Sequence, residues 1–183
     1  MRQRFDERPQ EKAVSVGVGV MYTTICYNIV ELEDGTWEAD VVTIETTGGE
    51  PTDEQVLEAV KQDRLAALAE YDASDAVNGF DVTIGGQTMS LWIDRETRAD
   101  YKSSIEAAEL LGRTEVKPVF GGQEVTLDIQ IAKMALAQVQ IYANQCFGVT
   151  ERHKATIEAL SAVQDVEDYD FTAGYPPRLS FSV

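Results

Sequence analysis

Histidine is almost missing from this chain. His153 is its one imidazole, so few arrangements for proton transfer near neutral pH are open to it. Cysteine is nearly as scarce: Cys26 and Cys146 lie 120 positions apart and give no zinc-ligand spacing. A disulfide framework is excluded; one long-range bridge stays open, beside the preferred reading of two buried free thiols in a reducing compartment. Cations are few, with 15 Lys and Arg against 32 Asp and Glu, a net charge of −17. Such a field repels phosphate backbones and anionic membranes, so neither nucleic acid nor membrane is expected as a partner. No apolar run approaches the length that crosses a bilayer. The opening residues mix acids with bases and hold no continuous apolar core, so no signal peptide is expected and the chain is read as a soluble, cytoplasm-made protein.

What is present is an ordinary globular composition. The 183 residues are 44% hydrophobic and 26% charged, enough for one domain with a real core or for two small ones. The charge is uneven. Residues 13–78 hold only Lys61 and Arg64 against fourteen acids, whereas residues 79–183 hold nine bases and fifteen acids.

Residues 1–12 read as a mobile arm. Residues 13–72 read as a β-rich segment followed by a helix. Val14, Val16, Val18 and Val20 alternate with small residues, the period of a half-buried strand. The runs TTICYNIVEL and WEADVVTIET flank Asp34-Gly35, a strong hairpin signal. Thr52 with Gln55 forms a capping box, so a helix is expected from about Asp53 to Tyr71, with Leu57, Val60, Leu68 and Tyr71 on one stripe. Residues 73–79 lack periodicity and read as a linker.

Residues 80–173 carry an internal echo. FDVTIGGQTMSLWID and VKPVFGGQEVTLDIQ both place Gly-Gly-Gln between apolar runs, with Gly85 and Gly121 36 positions apart. Each hairpin is followed by a helical pattern. Asp94 caps the first helix and Gly112 ends it; Ile141 falls where Ile105 was, and Gly148 where Gly112 was. The expected fold is α+β: two β-hairpin–helix units forming one small sheet packed on a long helix, preceded by the β-rich segment and its helix. The long helix is expected to run through Gly148, from about Ile131 to Leu160, with Met134, Ile141, Tyr142, Cys146, Val149, His153, Ile157 and Leu160 on one stripe. Residues 174–183, with Pro176-Pro177, form an extended tail.

Motifs that carry chemistry are weak. His153 sits on the apolar stripe and reads as a packed residue. Cys146 is two helical turns away, about 10 Å, beyond a nucleophile–base hydrogen bond. Gly17-Val18-Gly19 lacks the third glycine of a dinucleotide fingerprint, and neither Gly-Gly pair is followed by the Lys-Ser/Thr of a phosphate loop. Asp165, Glu167, Asp168 and Asp170 lack the spacing of an EF-hand and read as a solvated acidic face. No catalytic, metal or cofactor-binding residue is therefore expected, and the chain is read as non-enzymatic. The candidate partner contacts are Trp92, Tyr175, Pro176, Pro177 and Phe181. Strand alternation puts Trp92 on the face opposite Met89, Leu91 and Ile93, covered by the N-terminal region or by a partner. The tail either packs on its own domain or hands Tyr175 and Phe181 to a neighbouring chain.

The second half carries one resemblance. YDASDAVNGF, a hairpin ending in LWID, GGQEVTL, the long helix IAKMALAQVQIYANQCFGVTERHKATIEAL and the closing VEDYDFTAGYPPRLSF are similar to a family of phage- and prophage-encoded domains of unknown function, found among tail and tail-fibre genes. The resemblance covers about residues 71–181 and rests on packing motifs, the long helix with Tyr142 and Cys146 and the YDFTAGYP ending above all. It implies a structural protein of the tail, baseplate or fibre-attachment region of a virion, assembled in the host cytoplasm. The implied partners are other tail or fibre proteins; self-association is expected on separate grounds, because the end segments MRQRFDERPQEK and YPPRLSFSV read as arms able to cross to neighbours. The alternative is a tail-fibre assembly chaperone absent from the finished particle. The family supplies no active site to carry over.

Overall fold

A four-stranded antiparallel sheet grows from the Asp34-Gly35 turn in the computed structural model, which describes residues 2–120 and 122–182. Its strands are β1 (Arg2–Phe5), β2 (Lys12–Val16), β3 (Met21–Glu31) and β4 (Trp37–Thr46), in the order β1-β4-β3-β2. Gly35 takes φ +79° and the Asp34 carboxylate accepts the Thr36 amide at 3.1 Å, which closes the β3–β4 hairpin as its sequence requires. Two expectations change here. Residues 2–5 are not an unpaired arm: Arg2 to Phe5 pair with Asp40 to Trp37. The valine alternation does not make a half-buried strand either. β2 is an edge strand exposed along its length, and Gly17 and Gly19 turn the chain back before Val18 and Val20 extend it.

The chain divides into two units, Met1–Glu70 with Arg152–Phe171 and Tyr71–Glu151 with Thr172–Val183. The first holds the four-stranded sheet and most of α1 (Asp53–Ala73). The capping box forms in both directions: the Gln55 amide donates to Thr52 Oγ1 at 3.2 Å and the Thr52 amide to Gln55 Oε1 at 2.9 Å. Tyr27 of β3 donates to Asp63 of α1 at 2.7 Å. Arg64 lies 4.5 Å over the Phe171 ring and donates to the Tyr169 carbonyl at 2.6 Å.

The second unit contains β5 (Phe80–Ile84), β6 (Gln87–Leu91), α2 (Arg95–Leu110), β7 (Glu115–Val116), β8 (Val119–Phe120), β9 (Gln123–Glu124), β10 (Leu127–Asp128) and the first part of α3 (Ile129–Ala159). The final part of α3 and α4 (Val163–Asp168) belong to the first unit, and β11 (Ser180–Ser182) to the second. Gly85 and Gly86 both take positive φ, the geometry of a two-residue hairpin turn between β5 and β6. Of the other glycine pair, Gly121 lies outside the described residues.

The architecture is α+β, but the single two-hairpin sheet is not there. Among the described residues the strands form four separate sheets, and the partner of β5–β6 is β11, parallel to β5 with Phe181 opposite Val82. The second glycine hairpin pairs only β8 with β9, while β7 pairs with β10. Pro118 interrupts it, lacking the amide that a longer ladder needs. The 36-residue echo fails in the helices too. Ile105 is buried and Ile141 exposed. Gly112 ends α2 at φ +69°, whereas Gly148 lies inside the uninterrupted α3. Residues 73–79 are not a free linker, since Val77 is fully buried.

Candidate binding site

The site is a groove in the second unit, assembled from several elements. Asp94 caps α2 by accepting the Thr97 amide at 2.7 Å. At the other end Gly112 lets the chain fold back, so that the Arg113 amide reaches the Ala108 carbonyl at 3.0 Å. The chain then runs out and returns through the β7–β10 and β8–β9 ladders. Asp128 begins α3 by accepting the amides of Gln130 and Ile131 at 2.7 and 3.3 Å. This excursion stands beside an apolar wall. Ile105 and Ala108 of α2 pack on Ile129 and Ala132 of α3, and Phe80 and Val82 of β5 pack on Val139. Phe181 of β11 meets Phe80 edge-on, with ring centres 5.7 Å apart.

Between the wall and the excursion is a cavity of about 730 Å³. Its sides are apolar: Phe80, Ile105, Leu136, Val139 and Phe181, with Phe120 from the excursion, whose ring lies 6.2 Å from Tyr101. Arg113, Glu115 and Lys117 stand at the rim. The volume falls in the range of pockets that take a small molecule or an inserted side chain, and the lining offers hydrophobic burial with few polar anchors. A second groove, about 470 Å³, lies between α2 and α3 and gathers Arg95, Arg98, Lys102 and Lys133. Lys133 is tied to Glu109 at 2.5 Å, and Arg98 is committed inward, to the Ile93 carbonyl at 2.6 Å and Gln140 at 3.0 Å. Burial lowers the Arg98 pKa from its ordinary value.

The structure distributes the predicted contact residues within the second unit. Trp92 lies just past the end of β6, where alternation no longer sets its direction. It therefore shares its neighbours with Met89, Leu91 and Ile93 rather than facing away from them. It packs on the Val77, Tyr142 and Cys146 cluster, and Arg98 lies 5.6 Å over its ring. Tyr175 packs edge-on to Tyr71 at 5.6 Å, and its hydroxyl lies 2.9 Å from Thr150 Oγ1, which donates to Asp72 at 2.5 Å. Pro176 is half-buried and Pro177 exposed. Phe181 is part of β11 and lines the groove. Of the two readings of the tail, packing on its own domain is the one the structure has.

Both cysteines are buried free thiols, and burial raises the pKa of each. His153 is half-buried, with Nδ1 2.7 Å from the Tyr169 hydroxyl. Among the described residues no cluster of three or more His, Cys, Asp or Glu is arranged to hold a metal, and no helix is long and apolar enough to cross a membrane.

One surface escaped sequence reasoning. Met134 and Ile141, expected on the buried stripe, face outward from α3, while Ile131 is half-exposed at the groove and Phe147 is exposed on another side of the helix. The buried stripe is instead Ala132, Val139, Tyr142, Cys146, Val149 and Ile157. The signal was present in the sequence: α3 has apolar residues on more than one side. No protein-family model, no curated protein and no solved structure matches the chain.

Proposed function

We propose that this chain is a non-enzymatic bacteriophage structural protein of the tail, baseplate or fibre-attachment region, working through protein–protein contacts. The observation that carries the contact-making part is the outer face of α3, where Met134 and Ile141 are each more than half exposed and stand outside the apolar groove. Exposed apolar surface of this kind is characteristic of interaction sites. The placement in a phage particle rests on the resemblance over residues 71–181. A tail-fibre assembly chaperone has the same need for exposed apolar surface and is the second reading.

Mass spectrometry of purified particles, with and without the gene, separates the two. A structural component is present in stoichiometric amount. A chaperone is absent from particles whose fibres fail to assemble without it. A chain that is absent from particles, and whose loss leaves them intact and infectious, overturns both.

A further inference from the structure

We infer that the groove of the second unit is a binding site for a linear aliphatic monocarboxylate, its alkyl chain laid along the apolar trough and its carboxylate held at Arg113. The inference is independent of the protein-contact reading, which rests on the outer face of α3.

The cavity has the form of a trough. α2 and α3 run antiparallel, as the Lys133–Glu109 and Arg98–Gln140 pairs require. The lining of α3 extends from Ile131 to Val139, about 12 Å at 1.5 Å per residue. The lining of α2 extends from Tyr101 to Ala108 and continues past Gly112 to Arg113. Phe120 leans over the trough toward Tyr101 from the excursion. A space of about 730 Å³ with this lining has room for an unbranched alkyl chain. A peptide fits it less well. Most of its backbone amides would face the side chains of Ile105, Leu136 and Val139, and Ser104, Thr114 and Ser182 are among the few neutral polar side chains in the lining.

Charge argues for the head group. Over the whole chain acids outnumber bases by 32 to 15, but the lining reverses the ratio, with Arg113 and Lys117 against Glu115. Lys117 is held 3.3 Å from Glu124 in an exposed pair. No acid among the described residues pairs with Arg113, whose backbone amide closes the end of α2 and so fixes the root of its side chain at that end of the trough. A guanidinium meets a carboxylate through two parallel hydrogen bonds, which an alcohol or an ammonium cannot form. The acids elsewhere on the molecule act less at this point, because salt screens exposed charges beyond about 8 Å. Thr114, beside Arg113 in the lining, adds a hydroxyl at the same end.

The test is calorimetric titration of the full chain with sodium hexanoate, octanoate and decanoate, each below its micelle concentration. Saturable binding at one site should tighten about fourfold per methylene, the increment of burying one more methylene in an apolar site. Decan-1-ol should bind at least tenfold more weakly than decanoate, and decyltrimethylammonium more weakly still. Arg113→Gln should bring decanoate down to the level of decan-1-ol and leave decan-1-ol unchanged. Arg113 is exposed, so the melting temperature of this variant should match the parent. Ala135→Phe, which puts a ring into the trough, should weaken all the ligands together; far-UV circular dichroism checks that it folds. No saturable heat with decanoate, decanoate binding indifferent to Arg113→Gln, or decyltrimethylammonium binding as tightly as decanoate overturns the inference. None of these outcomes bears on whether the chain is found in particles.

Discussion

The Tyr142 hydroxyl donates to the Val77 carbonyl at 3.2 Å, and both residues are buried. The same carbonyl has a distant second partner in the Cys146 thiol at 3.9 Å. A turn that looks like a linker in sequence is thereby pinned to the middle of α3. Tyr142→Phe keeps the ring and removes the donor, leaving the carbonyl with a weak thiol contact. It should cost about 1–2 kcal/mol in urea denaturation, with an unchanged m-value.

The same phenol sets an alkaline limit. Burial, and then its neighbour Cys146, push the Tyr142 pKa up to about 12. An unfolded tyrosine titrates near 10. Between these values the unfolded state has released a proton that the folded state keeps, so stability is intact below pH about 10 and falls as pH rises toward about 12. Denaturation midpoints measured across that window should fall less steeply in Tyr142→Phe than in the parent.

The tail is structural. Phe181 fills space against Phe80 and Val82, and Arg178 is bound to Asp81 at 2.9 Å and to the Asp75 carbonyl at 2.5 Å. Phe181→Ala should destabilise the second unit by about 3 kcal/mol. Deleting residues 174–183 should lower its melting transition sharply rather than leave a folded protein lacking an arm. Thermal unfolding followed by tryptophan fluorescence measures both.

Gly79 has no room for a side chain. A Cβ there would meet the Asp75 carbonyl oxygen at 2.5 Å, and that atom is backbone. Gly79→Ala should cost about 2 kcal/mol in thermal or urea unfolding, an overpacking penalty. Gly148 is the opposite case, a glycine inside a regular helix, and Gly148→Ala should leave stability unchanged or raise it by about 1 kcal/mol. A loss in the second variant would mean that α3 needs the small residue for packing.

Local chemistry was legible in the sequence. The Thr52–Gln55 box, the Asp34-Gly35 turn, the Asp94 cap and the run of α3 through Gly148 each depend on residues within a few positions of one another. The groove was not legible, because it joins Phe120 to Phe181 across 61 positions with no periodicity to report it. Pairing of β11 with β5 was hidden for the same reason. The phase of α3 failed differently. Ile131, Met134 and Ile141 form one apolar set and Ala132, Val139, Tyr142 and Cys146 another, so periodicity alone left two faces competing for the core. The 36-residue echo misled because two glycine pairs look alike whether their strands are five residues long or two.

The parallel pairing of β11 with β5 also governs when this protein can finish folding. On a ribosome adding roughly 5–20 residues per second, Ser180 emerges roughly 5–20 s after Phe80. Through that interval β5 and β6 form a two-stranded hairpin, which is marginal in water by itself. One flank of β5 stays open, and the Phe80 ring lacks its edge-on partner. The nascent chain is exposed to strand-mediated mispairing through that interval, and the emergence of β11 is the step that ends the hazard.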